Sequence, residues 1–208
     1  MPTDPGPTPS ARSTWPGLTD TAHSEWYIGR FRDMAERGDD IWGEARLADV
    51  LAPRGARLLD AGCGMGRHSG YLADLGHRVV GVDIDPVLIE AAREAHPDVT
   101  WLVADLATLD LAATGETEPF DGALIAGNVL QFVTPEDRAS VIERVAAHLR
   151  EDAFLVIGCR TDHGVTAEVV DDALPAAGLR LEQRFATWDL RPWRDDADFC
   201  VSVARRGG

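Results

Sequence analysis

Short apolar segments alternate with amphipathic ones along most of this chain, and this alternation constrains the fold more than any other feature. The apolar segments predict strands over residues 57–60, 77–83, 99–104, 120–126 and 153–159. The amphipathic segments predict helices over residues 66–75, 86–95, 135–150 and 165–177. Strands that are apolar on both faces belong to parallel sheets covered by helices on both sides. A polar stretch separates two further strands, residues 181–190 and 199–204, which we predict to pair as an antiparallel hairpin.

The region before the first strand divides into two parts. Residues 1–20 hold five prolines among Thr, Ser and Gly, a composition that cannot build a core and predicts a disordered leader. Two helices are predicted next, one from residue 24 that ends near Gly38 and one over residues 41–51. We predict a single domain over residues 21–208, in which about residues 21–52 form a helical lid.

Charge and composition exclude several functions. Formal net charge is −15, and all 20 basic residues are arginine. The lack of lysine excludes Schiff-base chemistry on a lysine amine, and the lack of a basic cluster argues against a nucleic-acid partner. The three cysteines (Cys63, Cys159 and Cys200) match neither a zinc site nor a disulfide framework, so no metal is expected. No apolar run is long enough to span a bilayer, and no secretory signal is visible, so we expect a cytoplasmic protein without a membrane partner.

A glycine-rich loop follows the first predicted strand and opens the next helix. It reads Asp60-x-Gly62-x-Gly64-x-Gly66. Glycines let the backbone approach a ligand closely, and a helix N-terminus presents unpaired N–H groups. Dinucleotide-binding loops follow a different spacing, and phosphate does not favour a nearby carboxylate. An acid at Asp60 instead suits a ligand with a positive charge, such as an amino-acid ammonium group.

Polar residues also follow the next three strands. Asp83 ends the second strand, where an acid accepts hydrogen bonds from both hydroxyls of a ribose. Asp105 ends the third, where a carboxylate beside a backbone N–H can recognise an adenine edge. Gly127 and Asn128 end the fourth. Ligands of open parallel sheets bind outside the carboxyl ends of the strands, so these elements predict one nucleoside-binding site.

Together these motifs resemble the class I S-adenosylmethionine-dependent methyltransferases, closely over residues 55–160. The resemblance implies a Rossmann-like methyltransferase fold with strand order 3-2-1-4-5-7-6 and an antiparallel seventh strand. It implies S-adenosylmethionine as the cofactor, S-adenosylhomocysteine as the product and a small-molecule acceptor. It also implies that glycines border the methionine part, Asp83 the ribose, and Asp105 with Leu106 the adenine. We accordingly predict a cofactor site formed by Tyr27, Asp60, Gly62, Cys63, Gly64, Arg67, Asp83, Ile84, Asp105, Leu106, Gly127 and Asn128.

Other roles stay open on the sequence. Contact with the acceptor is predicted for Trp26, Arg30, Phe31 and Gln131. No catalytic residue is assigned, because methyl transfer from a sulfonium has a neutral leaving group and depends mainly on alignment. His68 as a general base and the Trp188 region as an aromatic cage are weaker alternatives. The chain is expected to be a monomer or homodimer, and the main alternative function is a cofactor-binding protein that transfers no methyl group.

Overall fold

A computed structural model describes residues 12–208. Its helices are α1 (Thr21–Glu36), α2 (Gly43–Leu51), α3 (Arg67–Asp74), α4 (Pro86–Ala95), α5 (Arg138–Ala147) and α6 (Ala167–Ala173). Its strands are β1 (Arg57–Ala61), β2 (Arg78–Asp83), β3 (Thr100–Val103), β4 (Phe120–Ile125), β5 (Leu149–Arg160), β6 (Leu179–Phe185) and β7 (Phe199–Arg206). Within this part of the chain no helix is both long and apolar enough to cross a membrane.

The seven strands form one sheet in the order β3-β2-β1-β4-β5-β7-β6. The pairs from β3 through to β5 are parallel, and β7 runs antiparallel to both β5 and β6. Apolar residues cover both faces of the sheet. Leu59 of β1 belongs to the core cluster that includes α5 and α6, and Leu58 belongs to the cluster that includes α2 and α3. The predicted three-layer, mostly parallel α/β fold is therefore confirmed.

Several predicted elements are shorter than the sequence pattern indicated, among them the helix predicted over residues 165–177, of which α6 covers Ala167–Ala173. A 3₁₀ turn at Pro135–Asp137 precedes α5, and β5 already begins at Leu149, which pairs with Phe120 of β4. The strand predicted over residues 181–190 ends at Phe185. A tight turn follows, in which the N–H of Leu190 donates to the carbonyl of Thr187 at 3.1 Å. A local turn thus delays the start of α5, and another turn ends β6, although the apolar sequence pattern extends through both turns.

The N-terminal region differs most from expectation. The sequence predicts a disordered leader over residues 1–20, and in the structure residues 12–20 contact the sheet domain. Residues 1–11 lie outside the described residues. The N–H of Thr14 donates to the carbonyl of Phe132 at 2.7 Å, and Pro16–Leu18 forms a 3₁₀ turn. Helix α2 is part of the core rather than of a lid, because Ala45 and Ala48 are fully buried in it. A proline-rich segment can therefore still pack against the domain, here through the contacts of Trp15 with Asp85 and Phe132.

Candidate functional site

A cavity opens beyond the carboxyl ends of β1, β2 and β4. Together with the open space at its mouth, it encloses about 660 Å³. Its walls come from the strand ends, from α1 and α4, and from the segments before α1 and after β4. The lining residues are Arg12, Ser13, Trp15, Tyr27, Gly62, Gly64, Asp83, Ile84, Leu88, Asp105, Leu106, Gly127, Val129, Phe132 and Val133.

The glycine loop forms the floor on the β1 side. Gly62, Gly64 and Gly66 all have positive φ (84°, 55° and 81°), a backbone conformation that favours glycine. The N–H groups of Gly62 and Cys63 donate to the carbonyl of Val82 at 2.7 and 3.0 Å, which holds the loop against the end of β2. The loop is therefore fixed by backbone bonds and leaves Gly62 and Gly64 facing the cavity.

Asp83 is the most buried acid in the cavity wall, at 9% exposure. Its Oδ2 accepts from the N–H of Gly64 at 2.8 Å, and its Oδ1 accepts from the N–H of Asp85 at 2.9 Å. Burial raises the pKa of Asp83 to about 6, although these two backbone donors oppose the shift. Each carboxylate oxygen has a second lone pair, so a ligand can still donate two hydrogen bonds to this side chain.

Residues after β2 and β3 line the far end of the cavity. Asp105 lines the cavity, and its Oδ1 accepts from the N–H of Ala107 at 2.9 Å. Leu106 and Ile84 add apolar surface beside it. An acid flanked by apolar side chains can bind a flat heterocycle that carries an amino group.

The segment after β4 supplies an open wall and a structural support. Gly127 lines the cavity, with nothing within 4 Å of the position that a Cβ would take. Asn128 and Gln131 do not line it. The Asn128 Oδ1 accepts from the N–H of Arg160 at 2.9 Å, and the Gln131 amide donates to the carbonyl of Arg160 at 3.3 Å. Both side chains tie this segment to the end of β5.

Three predicted cofactor residues lie behind the glycine loop rather than in the cavity wall. Asp60 is 1% exposed and accepts from the hydroxyl of Ser69 at 2.6 Å, and its Oδ1 has no partner among the described residues. Arg67 donates to Glu44 at 3.1 Å and lies over the ring of Phe31. Cys63 packs in an apolar cluster, and burial raises the pKa of its thiol well above the ordinary value.

Among the α1 residues predicted to bind, Tyr27 alone lines the cavity. Its hydroxyl lies 3.3 Å from the position of a Cβ on Gly64, and burial raises its pKa although Arg67 partly opposes this. Trp26 is 57% exposed and points away with the Arg30 guanidinium 5.8 Å from its ring. Phe31 packs against Tyr27 at 4.8 Å outside the lining. The helix therefore presents the ring of Tyr27 to the cavity and that of Trp26 to solvent, while Phe31 packs between Tyr27 and Arg67.

His68 does not face the cavity either. It is 3% exposed, and its Nε2 lies 3.4 Å from the carboxylate of Glu44 on α2. Burial of Glu44 disfavours its charge, but His68 and Arg67 together hold the pKa of this carboxyl well below its usual range. The group joins α2 to α3. The geometry therefore opposes His68 as the general base.

Comparison with known proteins decides the family. A family model described as a methyltransferase domain matches residues 58–152. A solved structure of a TehB-like S-adenosylmethionine-dependent methyltransferase from Corynebacterium glutamicum is 39% identical, with a TM-score of 0.84, and the match covers 91% of this chain and 100% of that one. The chain belongs to the class I S-adenosylmethionine-dependent methyltransferases.

Curated relatives of this methyltransferase act on different kinds of molecule. A ubiquinone biosynthesis O-methyltransferase from Methylocella silvestris is 40% identical over 51% of this chain and 41% of its own length. A tRNA (carboxymethyluridine(34)-5-O)-methyltransferase from Saccharomyces cerevisiae is 36% identical over 51% of this chain and 36% of its own length. The matched part thus spans less than half of these relatives.

The methyltransferase cavity also contains residues that the sequence analysis missed. Trp15 lines it from a region predicted to be disordered, and Phe132 lines it from the segment after β4. Their rings meet edge to face at 5.0 Å. Neither residue belongs to a recognisable motif. A tryptophan in an otherwise proline-rich and polar leader was the one available signal, because such a ring is costly to expose.

Proposed function

We propose that this protein binds S-adenosylmethionine in the cavity and transfers its methyl group to a small-molecule acceptor. The observation that carries the proposal is the buried carboxylate of Asp83 in the cavity wall, with both oxygens oriented by backbone N–H groups. A carboxylate fixed in this way suits the two hydroxyls of a ribose. Family membership supports the cofactor, and the geometry supports its position.

The lining residues suggest a position for each part of such a cofactor. Gly62 and Gly64 would border the methionine part, Asp83 the ribose, and Asp105 with Leu106 the adenine. The open space beside Gly127 would leave the methyl group accessible to an acceptor. The positions behind the loop (Asp60, Cys63 and Arg67) would support the glycine loop without direct contact through their side chains.

Catalysis would depend on alignment and exclusion of water. When bound, the cofactor supplies an activated methyl group on a sulfonium. Tyr27, Trp15 and Phe132 would shield that region from solvent and restrict the approach of the acceptor, because all three rings face the cavity. Holding two reactants in line contributes much of the rate enhancement in a displacement that needs no acid.

A small acceptor is the finer part of the proposal. Relatives named for tRNA and for ribosomal protein L11 show that sequence similarity alone does not select the acceptor class. Two features of this chain favour a small molecule: Arg12, Ser13 and Trp15 line one side of the cavity, and the net charge of −15 disfavours nucleic acid. No described residue contact favours the alternative of a binder without methyl transfer.

Calorimetry with S-adenosylhomocysteine tests cofactor binding. We expect saturable heat and a rise in melting temperature that grows with ligand concentration. Incubation with S-adenosylmethionine labelled on the methyl group, followed by fractionation of a small-molecule extract, should yield a labelled product. Absence of heat and of a thermal shift would refute the cofactor site, whereas binding with label transferred only to macromolecules would refute the small acceptor.

Affinity for S-adenosylhomocysteine should depend on pH through Asp83. Its pKa is about 6 in the folded protein against an ordinary value of 3.8. The ionised form accepts both ribose hydroxyls, so affinity should be about tenfold weaker near pH 5 than near pH 7.5. Asp83→Asn should remove most of this dependence. Calorimetry at the two pH values provides the measurement, and equal affinities would contradict the assignment.

The same shift predicts how ligand-free stability changes with pH. Between about pH 4 and 6 the folded protein keeps a proton that the unfolded chain has released. The contribution of Asp83 to the free energy of unfolding therefore falls as pH rises through this window. Binding and stability thus change in opposite directions over the same range, which distinguishes Asp83 from a simple surface acid.

A further inference from the structure

The segment before α1 crosses one side of the cavity. We name residues 12–19 the N-terminal strap. Besides the Thr14 bond to Phe132, the N–H of Thr134 donates to the carbonyl of Arg12 at 2.9 Å, and Ser13 pairs with Val133 in an antiparallel bridge. The strap and the segment after β4 therefore form one continuous wall.

Asp85 holds the other side of the strap. It is fully buried at the N-terminus of α4, where its Oδ1 accepts from the N–H groups of Val87 and Leu88 at 2.8 and 3.4 Å. Its Oδ2 accepts from the indole N–H of Trp15 at 2.7 Å and from the hydroxyl of Ser24 at 2.5 Å. One oxygen thus caps α4, and the other joins the strap and α1 to it.

The same residue reaches the ribose site. The N–H of Asp85 donates to Asp83 Oδ1, and Asp83 Oδ2 accepts from Gly64. An unbroken series of hydrogen bonds therefore connects the indole of Trp15 to the glycine loop. A displacement of the strap would therefore reach Asp83 through two hydrogen bonds, from Trp15 to Asp85 and from Asp85 to Asp83.

The strap fits too closely to this region for loose association. A Cβ on Gly17 would overlap Ser24, Asp85 and Trp15. The Trp15 ring meets Tyr27 edge to face at 5.5 Å as well as Phe132. If this side of the cavity is to open, the Trp15 ring must break its hydrogen bond and leave its packing site together with the rest of the strap.

We propose that Asp85 is a positioning residue that locks the N-terminal strap over the cofactor, and that the strap must detach for the cofactor to exchange. The proposal rests on the proposed function, since it places the cofactor in this cavity. Asp85 does not line the cavity and acts through Trp15, Ser24 and Asp83. The lock controls how fast the cofactor enters and leaves.

Trp15→Phe tests the lock, because it removes the indole N–H and keeps an aromatic ring. Asp85 retains Ser24 and both α4 amides, so the fold should persist. Trp26→Phe on the exposed side of α1 is the matched control. Dissociation of S-adenosylhomocysteine, followed by stopped-flow displacement with excess ligand, should be at least about tenfold faster in Trp15→Phe and unchanged in the control.

Hydrogen exchange on the ligand-free protein gives a second reading. The amides of Thr14 and Thr134 should exchange faster in Trp15→Phe, while amides in β1 and β4 stay protected. Asp85→Asn should have the same effect. If the side-chain oxygen of the new asparagine still accepts from the α4 amides, its NH₂ group faces the indole N–H of Trp15, and two donors cannot form a hydrogen bond. KM for S-adenosylmethionine should rise in both variants, with kcat changed less.

The outcomes separate this proposal from the proposed function. Failure of the unchanged protein to bind S-adenosylhomocysteine would remove the cofactor site itself. Normal binding by the unchanged protein, with an unaltered dissociation rate and unaltered strap exchange in both Trp15→Phe and Asp85→Asn, would overturn the lock alone. Faster strap exchange without faster dissociation would show that the strap opens but does not control the cofactor, which also overturns it.

Discussion

Asp83→Ala should weaken binding of S-adenosylhomocysteine by at least about a hundredfold, the largest loss of affinity that we expect from a single change in the cavity. Hydrogen bonds to a charged group contribute roughly 1.5–3 kcal/mol each, and the carboxylate would accept two from the ribose. The N–H groups of Gly64 and Asp85 lose their acceptor too, so the glycine loop becomes less well positioned. The fold should persist, because burial opposes the charge of this carboxyl.

The matched control is Asp110→Ala. Asp110 lies in the same half of the chain, is exposed and does not line the cavity. Its replacement should leave affinity unchanged in calorimetry, and circular dichroism should show both variants folded. A folded Asp83→Ala protein with full affinity would place the ribose elsewhere and would remove the main support for the proposed site.

The sequence was sufficient to predict that the strand-end residues line the cavity. For the residues at the glycine loop it predicted the location but not the direction of the side chains. Asp83, Asp105 and Gly127 end apolar strands, and parallel strands bring their carboxyl ends to one edge of the sheet. Asp60 and Arg67 flank the glycine loop, yet their side chains point away from the cavity. Asp60 bonds to Ser69 on α3, and Arg67 bonds to Glu44 on α2. Sequence spacing places a residue near a site, whereas the direction of its side chain depends on packing partners distant in the chain.

The contribution of the N-terminal strap is the clearest case of this limit. Trp15 and Asp85 are 70 residues apart, and they form a hydrogen bond because α4 begins beside the strap. The residues around Trp15 are mainly prolines, threonines and serines, and this local composition indicates disorder. A contact between distant segments overrides it, so the part of the cavity wall formed by Trp15 and Phe132 could not be inferred from local pattern.

The third glycine of the loop shows the same distinction between motif and role. Gly66 caps α3 with φ 81° but does not line the cavity. The ring of Trp101 on β3 lies where its Cβ would be, and the same ring covers Gly81 on β2. The indole N–H donates to the carbonyl of His96 at 2.9 Å, which fixes the ring in place. Gly66 therefore serves the packing of the loop against Trp101 rather than contact with a ligand.

Gly66→Ala should accordingly destabilise the protein more than alanine at either of two comparison glycines. Gly76 also has positive φ (89°) but has open space around it, so Gly76→Ala should cost only the roughly 1–2 kcal/mol of left-handed backbone strain. Gly81 lies in a regular strand against Trp101, so Gly81→Ala should cost only the roughly 1–3 kcal/mol of overpacking. Gly66 combines both effects, because its Cβ would overlap Trp101 and lie 3.0 Å from Ala92.

Urea unfolding of the three variants should give a loss of about 2–5 kcal/mol in the free energy of unfolding for Gly66→Ala, close to the sum of the other two losses. A loss no greater than that of Gly76→Ala would mean that Trp101 moves aside freely and that the loop is not held by its ring.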